Sequence, residues 1–303
     1  MELLKKLCSI HAPSGNEEAM TRFLLDYIKT NQAKWKTTPK AFYGDEFQNC
    51  IILIFGKPRT AVFAHIDSIG FTVRYQNELV KIGSPKTETG YLLKGFQNNI
   101  AVEYPLQIDG DQKLRIKASL QIERGTNLTF KENWREDNNF VQCCYMDNRL
   151  GVWNALRLCE SLEDGAIIFS CWEEHGGGSV PFLAKFLYEQ YKIRQSLISD
   201  ITWVTEGVHP GKGVAISLRD TGIPRKTFID KIIKIAKESG INYQVEVENA
   251  GGSDGTELQK QPYPIDWCFI GAPEEFVHSP DEKVHKSDIS SMLRLYKYLL
   301  EKL

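Results

Sequence analysis

Apolar residues recur along this chain in two rhythms. Near the start, Met20, Phe23, Leu24, Tyr27 and Ile28 follow one another at helical spacing, one apolar face of an amphipathic helix. Ser14-Gly15-Asn16-Glu17 just before them fits a Ser-x-x-Glu capping box and predicts where that helix begins. Residues 50–55 and 61–64 are short unbroken apolar runs, parted by the turn composition Gly-Lys-Pro-Arg-Thr, and predict buried strands. The same alternation returns after Asp147. A helix is expected through Val152, Ala155, Leu156 and Cys159, an apolar run over 166–172, a helix over 181–191 and a run over 197–199 that ends at Asp200. Beyond these, 226–238 reads as helix, 241–247 as strand, 265–270 as buried strand and 287–300 as a closing helix.

Helices alternating with buried strands at both ends predict an α/β fold, a three-layer sandwich around a largely parallel central sheet. The middle departs from this rhythm. From about Thr72 to Trp134 the chain is strand-like and broken by Gly and Pro, with little helical periodicity. It predicts a small β-rich inserted domain over 72–134, carried by a main domain of 1–71 and 135–303 and available for oligomerisation.

Composition narrows the function. The 37 Lys+Arg against 39 Asp+Glu leave a net charge of −2, which argues against a nucleic-acid clamp. No apolar run approaches the ~20 residues of a membrane span. The 7 cysteines are odd in number and form no Cys-x-x-Cys pair, the pattern of reduced, buried thiols. Together with an N-terminus that lacks a signal-peptide pattern, these features predict a cytoplasmic protein.

The candidate chemistry lies where apolar runs end. His65 and Asp67 close AVFAHIDSIG, Glu173 and Glu174 close AIIFSCWEE on an extended segment that would point the two side chains apart, Asp200 closes SLISD, and His278 follows the last strand in CFIGAPEEFVHSP. Asp147, in YMDNRLG, opens a helix. In open α/β sheets ligands bind beyond the carboxyl ends of the strands, so parallel strands would bring these side chains together. Two imidazoles and several carboxylates suit divalent zinc. A metal pair ~3.5–4 Å apart needs a shared ligand, usually a carboxylate. Three ligands for each metal with one shared makes five, which leaves two carboxylates for supporting roles.

These pieces, in this order, resemble a family. APSGNEE, AHIDSIGF, MDNRLG, CWEEHGG, the strand-ending SD, AGGSDGTEL and VHSPDEKVHKSD make the chain similar to the co-catalytic dinuclear metallo-aminopeptidases of the tetrahedral-aminopeptidase, or cellulase-M-like glutamyl aminopeptidase, family. The resemblance implies that His65, Asp147 and Asp200 hold one metal and that Asp147, Glu174 and His278 hold the other. It implies Glu173 as general base, and Asp67 as the carboxylate that orients His65. It places AGGSDGTEL near the active site, with Asp254 as either a substrate contact or a support behind the ligands, and His175 is a second candidate for touching substrate. The cofactors implied are two divalent ions, zinc first, with cobalt or manganese able to take the same shell. The partners implied are peptides with free N-termini and further copies of the chain, with no nucleic acid or membrane.

Two other functions compete. A dinuclear amidohydrolase with another substrate, such as a deacylase or carboxypeptidase, is suggested by the loop 175–180, whose His-Gly-Gly-Gly-Ser-Val differs from the family's usual Val-Gly-Leu-x-Gly-Ala type. A non-catalytic protein retaining the fold would be expected to have lost a ligand or the base, and none is lost. Arg219, Arg225 and Lys226, in SLRDTGIPRK, could favour acidic substrate side chains. Glu282 and Asp288 read as a surface charge and a helix start.

Overall fold

The computed structural model of the protein describes residues 1–98, 100–118 and 121–303. Its main sheet has strands Gly165–Ser170, Ala61–His65, Gln195–Trp203 and Asp266–Glu275 side by side at its centre, all parallel. Antiparallel strands extend it on both sides, Gln48–Phe55 and Lys40–Gly44 at one edge and Lys283–His285 towards the other. The central strands are almost continuously apolar because both faces are covered, as in any buried parallel sheet.

Ser199 shows which helices cover which face. It accepts a hydrogen bond from Asn154 Nδ2 at 3.0 Å, so the helix Met146–Cys159 lies on the face that Ser199 presents. Gly151 of that helix is required by this docking, since a Cβ there would stand 2.0 Å from the Ser199 carbonyl oxygen. Helices Glu2–Ser9 and Lys286–Lys302 pack beside it. Asp200, the next residue along the strand, points to the opposite face. There Ser170 donates to Asp254 in the first turn of the short helix Asp254–Gln259, against which Val180–Tyr191 packs. The result is the expected three-layer α/β arrangement.

The second sheet is separate and wholly antiparallel. Its order is Leu79–Ile82, Gly70–Val73, Asn127–Phe130, Leu92–Gln97, Ile100–Ile108 and Leu114–Ile116. Its strands alternate, with Leu93 buried while Leu92 and Phe96 are exposed. The chain enters it five residues after His65 and leaves it before Asp147, so it is inserted between two residues of the candidate site.

Three local expectations give way. The first long helix is Glu18–Asn31, and Ser14 does not cap it. Ser14 instead donates to Asp67 Oδ2 at 2.6 Å, and Glu17 Oε1 accepts from Gly15 N at 2.6 Å, because a buried carboxylate competes for the hydroxyl that would otherwise serve the helix end. The strand carrying Asp200 does not stop there but continues to Trp203, stabilised by its parallel partner Gly271–Glu274. Glu173 and Glu174 lie not on an extended segment but in a single 3-10 turn, Glu173–His175.

Candidate metal centre

Strand register accounts for half of the site. Ser170 is paired with His65, and the pairing of Ile198 with Phe63, carried two residues on, brings Asp200 level with His65. Residues in one such row share a face. His65 Nε2 accordingly lies 3.7 Å from Asp200 Oδ2, 3.2 Å from Asp147 Oδ1 and 3.8 Å from Glu173 Oε2.

Asp147 reaches the row because the first turn of its helix is unwound. The backbone of Asp147 and Asn148 is non-helical. Asn148 secures this turn, donating to the Ser199 carbonyl at 2.9 Å and accepting from Gly151 N at 2.8 Å. The second oxygen of Asp147 faces the other way. Oδ2 is 3.2 Å from His278 Nε2, which is in turn 3.2 Å from Glu174 Oε2. One carboxylate thus stands between two imidazoles, one oxygen towards each.

Asp67 ties the parts together. It is fully buried, and its Oδ1 lies 3.4 Å from His65 Nδ1. Its two oxygens accept from the backbone N–H groups of Glu173 and Glu174, each at 3.2 Å. Trp172 turns the chain into this pair with φ 61°, and Gly177 closes the turn onto the Trp172 carbonyl at 2.6 Å. A Cβ on Gly177, itself at φ 67°, would stand 2.4 Å from Glu257 Cγ, so this turn requires glycine. The 3-10 turn still sends the adjacent glutamates apart, Glu173 towards His65 and Glu174 towards His278.

The electrostatics are those of a site built for cations. Burial pushes Glu173 and Asp200 well above the usual carboxylate range, and neighbouring acids push further. Burial opposes a charge on His278, yet Asp147 and Glu174 raise it to about 12. Burial likewise opposes a charge on His65, and Asp200, Glu173, Asp147 and Asp67 together raise it well above its ordinary value. Glu174 Oε1 is buried without a hydrogen-bond partner. Ligand atoms of His65, Asp147 and Glu174 lie within 4.8 Å of one another. Imidazole nitrogens and carboxylate oxygens in this number match a divalent-metal shell, and the residues fit the group the sequence implied.

The two candidate substrate contacts lie outside the cavity lining, Asp254 in the supporting position that the resemblance also allowed. Asp254 is buried beside Ser170, with burial raising it to about 6. His175 accepts from Gly83 N through Nδ1 at 3.0 Å, tying the glutamate turn to the inserted sheet. Neither lines the cavity of about 510 Å³ whose walls include Asp147, Glu173, Glu174, Asp200 and His278. The three cations of SLRDTGIPRK do not line it either. Arg225 pairs with Asp266, Lys226 with Asp230, and Arg219 Nε donates to its neighbour's carbonyl.

Sequence reasoning missed Glu282 and Ser84. Glu282 is no surface charge but completely buried. Its Oε1 accepts from His278 N at 2.9 Å and its Oε2 from Asp147 N at 3.3 Å, so one carboxylate holds the backbones of both residues. Ser84 Oγ lies 2.8 Å from His278 Nδ1 and leaves Nε2 for the cluster. The only available signal was position, four residues after His278 for Glu282, because both act through contacts that chain spacing does not encode. Asp288 is likewise more than a helix start, accepting from Gly211 N and Gly213 N at 2.6 and 2.8 Å.

Comparisons with known proteins place the chain in a family. A protein of Acetivibrio thermocellus described as "Putative aminopeptidase" is 27% identical over 97% of this chain and 96% of its own length. An aminopeptidase from the archaeon Desulfurococcus kamchatkensis superposes with a TM-score of 0.87 at 19% identity, covering 100% of this chain and 94% of that one. The Pyrococcus horikoshii TET1 peptidase, described as assembling into a tetrahedron or a large octahedral shell, superposes with a TM-score of 0.83 at 21% identity over 100% and 99% of the two chains. Residues 99–295, which include Asp147, Glu173, Glu174, Asp200 and His278, match the family described as M42 glutamyl aminopeptidase. On a match spanning well over half its length, this chain belongs to the M42 glutamyl aminopeptidase family and is a hydrolase of peptide bonds.

Proposed function

We propose that the protein is a metal-dependent aminopeptidase that removes the N-terminal residue of peptides, with two divalent ions held around Asp147. The observation that carries this reading is the placement of the Asp147 carboxylate, 3.2 Å from His65 Nε2 through one oxygen and 3.2 Å from His278 Nε2 through the other. His65, Asp200 and Asp147 would hold one ion. His278, Glu174 and Asp147 would hold the other. Zinc is the first choice, with cobalt or manganese compatible with the same donors.

When bound, such a pair lowers the pKa of a water molecule towards ~7 and polarises the scissile carbonyl. The remaining work falls to the chain. Glu173 Oε2 lies 3.8 Å from His65 Nε2, no backbone N–H of the described residues donates to its carboxylate, and burial raises its affinity for a proton. It takes the proton from the attacking water and returns it to the departing amine. Asp67 orients His65 and, through its two backbone contacts, aims both glutamates. Asp147, Glu173, Glu174 and Asp200 all line the cavity, so a peptide that enters it meets the cluster directly.

Self-assembly is part of this reading. Tyr75, Val80, Leu92, Phe96 and Ile100 of the inserted segment are each at least 45% exposed, apolar surface suited to a second copy of the chain. No helix among the described residues is long and apolar enough to cross a membrane.

The test is a panel of fluorogenic aminoacyl substrates on metal-stripped protein reloaded with Zn²⁺, Co²⁺ or Mn²⁺, with an N-acetylated control. Metal-restored release from free amines alone supports an aminopeptidase. Cleavage of the blocked control alone would make it a deacylase. Glu173→Gln should retain metal and lose turnover by about 10²- to 10⁴-fold.

A further inference from the structure

The cavity is acidic beyond the cluster residues as well. Its lining also includes Asp220, Glu246, Glu248 and Glu257, and apart from His278 its one cation is Lys260. Lys260 is spent, since its Nζ pairs with Glu257 Oε1 at 2.6 Å. Glu246 is 6% exposed and accepts from the neutral Thr202 hydroxyl at 2.6 Å. Asp220 is 8% exposed, and its Oδ1 accepts from Gly222 N and Thr256 Oγ1. Neither carboxylate forms an ion pair with a Lys, Arg or His nitrogen within 4 Å among the described residues, and Arg219, the neighbouring cation, offsets only a small part of the burial of Asp220.

Carboxylates more than nine-tenths buried without a cation are costly, and burial raises the pKa of both. A protein can bear this cost where a ligand supplies the missing charge. The cavity itself is of ligand size and continuous with the cluster where the peptide bond would be cut. An acidic side chain entering it would meet four carboxylates.

We infer that this wall is the pocket for the substrate's N-terminal side chain and that it selects a basic one, lysine or arginine, through Asp220 and Glu246 with Glu248. The inference rests on the aminopeptidase reading above and departs from the glutamyl preference in the family's description. A flexible ammonium or guanidinium reaches the wall while the α-amino group stays at the cluster.

The experiment is a comparison of kcat/KM for free-amine Lys, Arg, norleucine, Leu and Glu substrates on the metal-loaded protein, with norleucine as the uncharged match for lysine. Lys and Arg are expected to exceed norleucine about ten-fold or more, with Glu the poorest. The double variant Asp220→Asn, Glu246→Gln keeps the side-chain volumes and should bring the Lys-to-norleucine ratio close to one. Calorimetric binding of L-lysinamide against L-norleucinamide to the wild-type protein gives the same comparison without turnover. A preference for Glu, an equal rate for Lys and norleucine, or a lysine preference that follows the second residue of the peptide would each overturn the inference while leaving the aminopeptidase intact. Cleavage of no free-amine substrate would overturn both.

Discussion

His65 and His278 face the same aspartate from scaffolds of different kinds. His65 ends a strand flanked by parallel neighbours, and its side chain is 1% exposed. Its distance to Asp200 follows from strand register, which the whole sheet maintains. His278 sits in a loop with φ 62° and a side chain 21% exposed. What holds it is a set of hydrogen bonds. Glu282 takes its N–H, Ser84 faces its Nδ1, and Lys86 N donates to its carbonyl at 2.8 Å. Two of those residues come from the segment just beyond the strand Leu79–Ile82 of the inserted sheet. One half of the centre is therefore held by strand register, and the other by hydrogen bonds that include residues of the inserted segment. Assembly through that segment would act on the His278 half first.

The largest effect should come from removing what the halves share. Asp147→Ala is expected to abolish binding of both ions and lower turnover by more than about a thousand-fold, read by metal analysis after dialysis together with aminoacyl hydrolysis. Retention of one tightly held ion would show that the halves do not depend on a common ligand.

Glu282→Gln separates the halves. It keeps the side-chain volume and removes the charge that holds His278 and Asp147 from behind. One ion of the two should weaken by about 10- to 100-fold, with the other less affected. Equal weakening in a calorimetric titration would contradict the division into a sheet-held and a loop-held half. Ser84→Ala should follow with a smaller change of about ten-fold or less, confined to the same ion.

The smallest expected effect is a dependence on pH. In the metal-free protein both imidazoles hold protons more firmly than an ordinary histidine, His278 up to about 12. A ligating imidazole is neutral, so loading must expel these protons, on the order of one for each ion. Apparent affinity should therefore rise with pH and fall as protons compete at low pH. Titration in buffers of different ionisation enthalpy counts the protons, and an uptake of protons on loading would reverse the sign.

Much of this architecture is legible in the sequence because it rests on burial and periodicity. The apolar runs that end at His65 and Asp200 are the strands that meet in one row, since strands covered on both faces cannot hide in alternation. The glutamate pair is readable for the same reason, although its turn is a 3-10 rather than an extended segment. What stays hidden are contacts made across the chain by backbone groups. Glu282 looks like any acidic loop residue until its two N–H donors are known. Ser14 carries a capping signature and yet serves Asp67, because local sequence cannot reveal a competitor 53 residues away. The acid wall of the cavity is dispersed in the same way, with Asp220 and Glu246 on separate segments and the nearby arginines turned to other partners.

The most direct test of the account is an anomalous-diffraction map from crystals of the protein loaded with zinc. It should show two peaks ~3.5–4 Å apart, both within bonding distance of Asp147, one beside His65 and Asp200 and the other beside His278 and Glu174. A single peak, or a pair that does not share Asp147, would contradict it.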